Sequence, residues 1–436
     1  MLFMKYDTTE KLFYIVYDFM VIPLLWFYFF IAQWFNPKIR EGRIARRRLK
    51  EDLVTWKNSI GSDKKIVLFH CSSLGEVEQA KPLIEAIKRE KNEIIIVVSF
   101  YSPSGYQHYM PNDSVSLKIY LPFDSSRQAK MFFNILDIKV WIIVKHDIWP
   151  NHLRYAKRRG VQMILIDANL PPHSRRIFPL IRLFYKSCFR WFTYVLPVSG
   201  EDAERFQFLY PYGDRIIPAG DTRYDQVMLR SKDAKRKELE GFEDMINSPV
   251  LICGSVWQSD TEMILPALSK ILNKFPALRV IIVPHEPIEE YLLQLEKDLA
   301  YSGIRSVRYS ALKNHDTRNV ILIDRIGILA HVYKYGTICY VGGSRGPGVH
   351  NVMEPAIMGK PVLFGPRHTN SFEALELIRR GGGFSVISAE EFKNQVITLL
   401  SDERTTVEIG KRAAMVIQEQ IGATERIMNI LRPLLP

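Results

Sequence analysis

Residues 66–76 read IVLFHCSSLGE. Ile66–His70 is an unbroken apolar run of strand length, two serines follow, and a segment of helix length opens near Glu76. An apolar run without polar alternation is the mark of a strand buried on both faces, which parallel sheets contain and half-exposed antiparallel ones do not. Outward from this stretch the pattern repeats. Glu93–Phe100, Leu117–Phe123, Val140–Lys145, Met163–Asp167 and Tyr194–Ser199 form one series of runs. Val250–Ser255, Arg279–His285, Val320–Asp324, Thr337–Gly343, Pro361–Gly365 and Phe384–Ile387 form another. Helix-length segments separate the runs, which predicts βαβ units in two Rossmann-like, doubly wound parallel-sheet domains with a cleft between them. In such sheets ligands bind beyond the carboxyl ends of the strands, so the residues just after each run are the ones to read for chemistry.

The chain of 436 residues is too long for one ordinary core and, at 47% hydrophobic and 24% charged, has the composition of a folded protein. Its formal charge of +12 is unevenly placed. Lys38, Arg40, Arg43, Arg46, Arg47, Arg48 and Lys50 face one acid, Glu41, and supply half of the excess. They directly follow LFYIVYDFMVIPLLWFYFFIAQWF, residues 12–35, which carries no charge after Asp18. Basic residues beside an apolar segment mark a membrane-flanking element that meets anionic lipids, so no nucleic-acid partner is expected. A single span and a helix lying in one leaflet both fit the segment. The positive-inside rule puts the remainder on the cytoplasmic side. Cys71, Cys188, Cys253 and Cys339 are scattered, without a CxxC pair, as buried thiols of a reducing compartment are. The ten histidines show no zinc-ligand spacing, so neither a metal nor a cofactor is expected. The expected domains are an anchor with its basic segment at 1–50, an acceptor-binding domain at 51–235 and a donor-binding domain with a C-terminal helix at 236–436. The charged stretch Gln226–Ser248 reads as a linker plus a helix.

Four places after strand-like runs carry candidate chemistry. In Ser72-Ser73-Leu74-Gly75-Glu76, Gly75 would allow a tight turn, and Glu76 at a cleft-facing helix start could take a proton from a sugar hydroxyl; the same position also describes a plain helix cap. In the block 341–356, glycines follow a strand and precede a helix, an arrangement that offers main-chain amides to a phosphate, with Glu354 placed to bind ribose hydroxyls. His285, in Pro284-His285-Glu286-Pro287, could contact an anion or be structural. In Lys145-His146-Asp147-Ile148-Trp149-Pro150, Asp147 could orient an acceptor, and Trp149 reads as core or as a sugar platform.

SSLGEVEQAKPLI (72–84), HDIWPN (146–151), YVGGSRGPGVHNVMEPA (340–356) and KPVLFGPRHTNSFEAL (360–375) together resemble the 3-deoxy-D-manno-octulosonic acid (Kdo) transferases of lipopolysaccharide synthesis. Weaker likenesses, DANLPPHS, SGEDAERF, GDTRYD and DRIGIL, lie between them in the family's order. The resemblance implies an inverting GT-B glycosyltransferase anchored at the bacterial inner membrane. Its donor would be CMP-Kdo and its acceptor a lipid A precursor disaccharide. It implies Glu76 as catalytic base. Donor contacts would come from Gly254, Ser255, His285, Gly342, Gly343, Ser344, His350, Asn351 and Glu354, and acceptor contacts from Ser73, Gly75, Asp147 and Trp149. The Kdo carboxylate needs a cation, for which Arg176, Lys145 and Arg223 are candidates. The chain departs from the family at Lys145-His146-Asp147, where Glu-Thr-Glu is usual, at Glu286, where His is usual, and at Asp167-Ala168-Asn169-Leu170-Pro171, where Asn-Ala-Arg-Leu-Ser is usual. Two alternatives stand beside this reading: a GT-B transferase for another nucleotide sugar, and an inactive membrane-tethered binding protein.

Overall fold

The computed structural model describes residues 8–61, 64–145, 147–243, 245, 248–312 and 318–436. The chain divides into two compact units, Met1–Gln226 with Gly422–Pro436, and Val227–Ile421. The first holds six strands: β1 (Ile66–Cys71), β2 (Ile95–Phe100), β3 (Leu117–Tyr120), β4 (Ile138–Val144), β5 (Gln162–Ala168) and β6 (Tyr194–Pro197). They form one parallel sheet in the order β3-β2-β1-β4-β5-β6. The second unit holds β7 (Val250–Val256), β8 (Arg279–Pro284), β9 (Ser306–Arg308), β10 (Val320–Leu322), β11 (Ile338–Val341), β12 (Val362–Phe364) and β13 (Gly383–Ser385). Their order is β13-β12-β11-β7-β8-β10-β9, again all parallel. Every run named above became a strand. The addition is β9, three residues with only Val307 buried, too short to leave an apolar run in the sequence.

Each sheet is buried on both faces, as its runs require. β1 is buried at all six positions. One face of the first sheet packs Leu68, Trp141 and Phe132, while the other packs Val67 and Val98 against Leu83 and Ile87 of helix Leu74–Glu90. Burying side chains of this size stabilises a fold by about 1.5–3 kcal/mol each.

Four expectations of the domain organisation need correction. Residues 8–50 are not a free-standing anchor, because Tyr14 and Leu49 are part of the first unit's core. The unit boundary falls at Gln226/Val227, inside helix Thr222–Arg236, rather than at 235. Beyond that helix Phe242 and Met245 are buried, so the stretch is no solvated linker; Asp244, Ile246 and Asn247 lie outside the described residues. The C-terminal helix Ala423–Leu431 belongs to the first unit, where Ile427, Met428 and Leu431 fill the face beside helix Leu74–Glu90. A C-terminal helix was expected, but which sheet it would cover is a tertiary matter. The buried Asp225 carboxylate fixes its start, accepting from Gly422 N (2.7 Å) and Thr424 N (2.6 Å).

The N-terminal apolar segment runs as helix Thr8–Val16, a wide π turn Tyr17–Val21, and helix Ile22–Ala32. Pro23 lacks an N–H and its ring crowds the carbonyl four residues back, and an i→i+5 turn just before it relieves both problems. The segment lies on the loops that follow β2, β3 and β4. Tyr14 OH donates to Pro150 O (3.3 Å), and Tyr17 OH donates to Asp124 Oδ2 (2.9 Å). After a turn at 33–36, Asn36 caps helix Pro37–Arg47. From it Arg46 reaches back to Leu121 O (2.8 Å) and Tyr101 O (2.9 Å), with its guanidinium 4.7 Å from the Tyr120 ring centre. This arginine was read as part of a lipid-facing run, yet it staples the basic helix to the first unit.

Candidate functional site

The carboxyl edge of the first sheet gathers the acidic candidates. β1 ends at Cys71, and Ser73 caps the following helix, accepting from Glu76 N at 3.4 Å. Glu76, in the first turn, folds its carboxylate back over the cap. Its Oε2 accepts from Ser72 N (2.5 Å), and its Oε1 lies 2.9 Å from Ser72 Oγ. The residue is 8% exposed, whereas Ser73, Leu74 and Gly75 beside it are open to solvent. Glu76 is thus both a helix-start anchor and the carboxylate of an exposed turn. Gly75 is not the turn-maker expected. It sits inside the helix, and a Cβ built there meets only Ser73 Oγ at 3.9 Å, so glycine leaves bare backbone at the opening rather than relieving a clash.

Asp147, after β4, is positioned from below by a buried histidine. His70 Nε2 lies 2.9 Å from Asp147 Oδ2, and its Nδ1 lies 2.9 Å from Ser99 Oγ. An ionised carboxylate only accepts, so Nε2 carries a proton toward Asp147. His70 lay inside the deciding stretch, but its apolar neighbours made it read as strand. His146 lies outside the described residues. Trp149 stacks on Tyr101 at 4.3 Å and packs against the core, which favours the core reading of that ring. Lys145 and Asp167, at the ends of β4 and β5, both hold left-handed backbone (φ 64° and 50°), a strained state for side-chain-bearing residues that clusters at functional sites. Burial, with Asp221 nearby, pushes the Asp167 carboxyl up to about 7, against hydrogen bonds from Thr222 and the charge of Lys145. Among the other candidate cations, Arg223 is paired with Asp221 (2.8 Å), and Arg176 lies 5.4 Å from the Tyr185 ring centre.

The carboxyl edge of the second sheet is built around three rings. Trp257, after β7, stacks on His285, after β8, at 4.9 Å, and His285 stacks on His350 at 4.5 Å. Trp257 Nε1 donates to His350 Nε2 (2.7 Å), which leaves the His350 proton on Nδ1. Burial and the neighbouring His285 lower the His350 pKa, in keeping with a neutral ring. Trp257 and His285 also line a cavity of about 510 Å³ shared with Gln258, Glu286, Glu290 and Tyr291.

The glycine block behaves differently from expectation. The amides of Gly342 and Gly343 are engaged by Gly254 O (2.9 Å) and Asp260 Oδ2 (2.9 Å), so they do not cradle an anion. Glycine is needed there for space: a Cβ on Gly342 would fall 2.4 Å from Ser255 O, and one on Gly343 2.5 Å from Gly348 O. Gly254 is a packing position too, with the Tyr333 hydroxyl 2.2 Å from where its Cβ would be. Ser344 is wholly buried and its hydroxyl accepts from Gly365 N (2.5 Å), which removes it from the ligand-facing set. Asn351 is exposed and holds Met353 N (3.0 Å) at the start of helix Met353–Ile357, which at five residues has little dipole to offer. Glu354 pairs with Arg230 Nη1 (3.0 Å), and its pKa is raised by burial, with Arg230 opposing. Ser255 adopts φ 52°, the second unit's counterpart of Lys145 and Asp167.

Asp260 is the residue that sequence reading missed. Fully buried, it accepts from Trp257 N (2.9 Å), Gly343 N (2.9 Å) and Tyr340 OH (2.8 Å), and so ties the β7 turn, the glycine block and β11 together. Its signal was an acid three residues after Trp257, a spacing shared with ordinary helix caps.

The family model for 3-deoxy-D-manno-octulosonic-acid transferase (kdotransferase) matches residues 47–226, which include the Glu76 turn and Asp147. The 3-deoxy-D-manno-octulosonic acid transferase of Haemophilus influenzae is 26% identical over 402 residues, covering 89% of this chain and 92% of that protein. A bifunctional glycosyltransferase/methyltransferase of Fusobacterium nucleatum is also 26% identical, over 86% of this chain; the chain spans 58% of that protein's length. The UDP-GlcNAc 2-epimerase of Neisseria meningitidis, solved with UDP-GlcNAc, covers 85% of this chain and 100% of that one at 14% identity and a TM-score of 0.59, a likeness of fold alone. The chain thus combines two parallel α/β units with similarity to the Kdo transferase family across residues 47–226 and to curated 3-deoxy-D-manno-octulosonic acid transferases along most of its length.

Proposed function

We propose that the protein transfers Kdo from CMP-Kdo to a lipid A precursor disaccharide at the cytoplasmic face of the bacterial inner membrane, with inversion at the anomeric centre. The observation that carries this reading is the placement of Glu76. Its carboxylate stands at the carboxyl edge of a parallel sheet beside an exposed, side-chain-free turn, within the stretch that matches the family. Transfer breaks the bond from the sugar to phosphate while an acceptor hydroxyl attacks from the opposite face, through a transition state with oxocarbenium character. Glu76 takes the hydroxyl proton, exchanging its hydrogen bond from the Ser72 hydroxyl for one from the acceptor. Asp147, held by His70, orients the acceptor. In the second unit the rings of Trp257, His285 and His350 form the wall against which CMP is held, and the Nδ1–H of neutral His350 is a donor for developing phosphate charge. Glu354, steadied by Arg230, binds ribose hydroxyls.

The test is Glu76→Gln. An amide cannot take the proton, so turnover is expected to fall at least about 10²-fold, the usual scale for a lost general base. CMP affinity is expected to stay as it was, because Glu76 belongs to the first unit. Near-normal turnover of this variant, followed as CMP release with and without acceptor, would exclude Glu76 as the base. Product mass from a lipid A precursor identifies the sugar transferred.

A further inference from the structure

By length and composition Lys11–Ala32 is a membrane-crossing helix: 22 residues of mean hydropathy 2.0, about 33 Å at 1.5 Å per residue. Its contacts say otherwise. In its first half, Tyr14 receives Trp191 Nε1 (2.8 Å), and Tyr17 donates to Asp124. Asp18 is gripped by Asn151 Nδ2 (2.6 Å), Ser126 Oγ (2.8 Å) and Arg154 Nη2 (3.0 Å). In its second half, Phe29 packs 5.6 Å from the Phe123 ring, and the Arg43 guanidinium lies 5.4 Å from the Phe30 ring centre. Tyr14 and Phe29 are separated by about 22 Å of helix, yet both rest on the first unit. The π turn makes this possible, since its extra residue rotates Phe29 onto the face that carries Tyr14 and Tyr17. The same rotation gathers Leu12, Phe19, Leu24, Phe27, Ile31 and Phe35, each at least 42% exposed, along the outer side.

We infer that this segment does not cross the bilayer: it lies along one leaflet, its outer stripe in the acyl chains and its inner face on the carboxyl edge of the first sheet. A helix held to one folded unit near both ends cannot place those ends on opposite sides of a membrane without carrying Asp18, Arg154 and Asp124 into hydrocarbon, where unsolvated charge is expensive. The occupant of the outer stripe is an anionic leaflet. Lys38, Arg40, Arg47, Arg48 and Lys50 follow the stripe and are exposed, each worth on the order of 1 kcal/mol beside anionic headgroups. Glu76 and Asp147 are thereby held at headgroup height, where the sugar of a lipid acceptor lies. That last consequence rests on the acceptor proposed above; the lie of the helix does not.

The test needs neither donor nor acceptor. Cys71, Cys188, Cys253 and Cys339 are all buried, so a cysteine placed at an exposed site is the accessible thiol in the folded protein. Leu12→Cys, Leu24→Cys and Phe35→Cys, each in the full chain, are labelled with a fluorophore and reconstituted in phosphatidylethanolamine–phosphatidylglycerol vesicles carrying nitroxide quenchers near the headgroup or deep in the acyl chains. Equal quenching at all three, strongest with the shallow quencher, is expected. A membrane-impermeant maleimide should reach unlabelled Lys11→Cys and Lys38→Cys, exposed positions flanking the segment, from the same side. A spanning helix would instead put Leu24 deeper than Leu12 by a large part of their ~18 Å separation and expose the two ends on opposite sides. That result overturns the inference, as does quenching at none of the three.

Discussion

The carboxyl edges of the two sheets share a topology and differ in how their polar groups are occupied. In the first unit the acids are held by neighbours: Glu76 by Ser72, Asp147 by His70, Asp167 by Thr222, Asp124 by Tyr17 and the Asn151 amide. Helices from the N-terminus lie across part of that edge and supply some of the partners. In the second unit one buried acid, Asp260, organises the turns, and the ligand-facing surface is aromatic rings beside a cavity. Under the function proposed above, the first edge would handle a proton and a hydroxyl, and the second would hold a flat, charged group. The apolar N-terminus is thus part of the first unit's core and of its polar network.

Removing residues before Glu51 is the hardest blow to that contrast. It deletes Tyr14, Tyr17, Arg46 and Leu49, uncovers a hydrophobic face, and takes partners from Asp124 and from the Tyr101 and Leu121 carbonyls. The first unit should lose on the order of 5 kcal/mol, from unmet buried polar groups and lost packing together. Hydrogen exchange should then quicken in β1 and β4 but not in β7 and β11. Equal protection in both sheets would show that the N-terminal helices are mere passengers.

Asp167→Asn comes next and is read as a slope. Because the folded state holds this proton up to about 7 while the unfolded chain releases it near 3.8, the wild-type contribution is present below 3.8 and is lost as pH rises through 7. Stability of wild type relative to the Asn variant should therefore fall between pH 4 and 7. A flat difference across that window, measured by urea unfolding, would show that Asp167 is ionised throughout. Trp257→Phe sharpens the second edge. The ring stack survives, but the hydrogen bond to His350 Nε2 is lost, and CMP affinity is expected to weaken about threefold to tenfold, the equivalent of one hydrogen bond. Unchanged affinity in calorimetric titration moves CMP away from the rings. The smallest effect belongs to Gly75→Ala. With room for a methyl group and helical backbone, it should stabilise the first unit by up to about 1 kcal/mol while lowering turnover with acceptor. A variant both more stable and fully active would mean that nothing docks at that turn.

Much of this was legible in the sequence because buried parallel strands announce themselves as continuous apolar runs, and twelve such runs became strands. Glu76 and His285 were singled out by reading the ends of those runs, and both stand at the carboxyl edges of their sheets. The failures share a cause. Gly342 and Gly343 read as an anion cradle because glycine in a turn frees amides, but whether an amide stays free depends on an acid such as Asp260, distant by about eighty residues. Ser344 looked available until β12 closed over it. Arg46 and Tyr17 read as membrane-facing by their neighbours in sequence, whereas their partners, Leu121 and Asp124, follow β3, 75 and 107 residues further along the chain. Local pattern gives the elements; the identity of the side chain across the gap is the information it lacks.

The second unit is inserted between the body of the first and its closing helix Ala423–Leu431. During synthesis, β1–β6 emerge from the ribosome with one face of their sheet still short of Ile427, Met428 and Leu431. At 5–20 residues per second the missing helix follows about 10–40 s later. Throughout that wait the sheet face over Val67 and Val98 lacks part of its cover, beside a nascent apolar N-terminus that seeks lipid. Early seating of that N-terminus on the membrane would hold the half-built unit in place and away from other nascent chains until its last helix arrives.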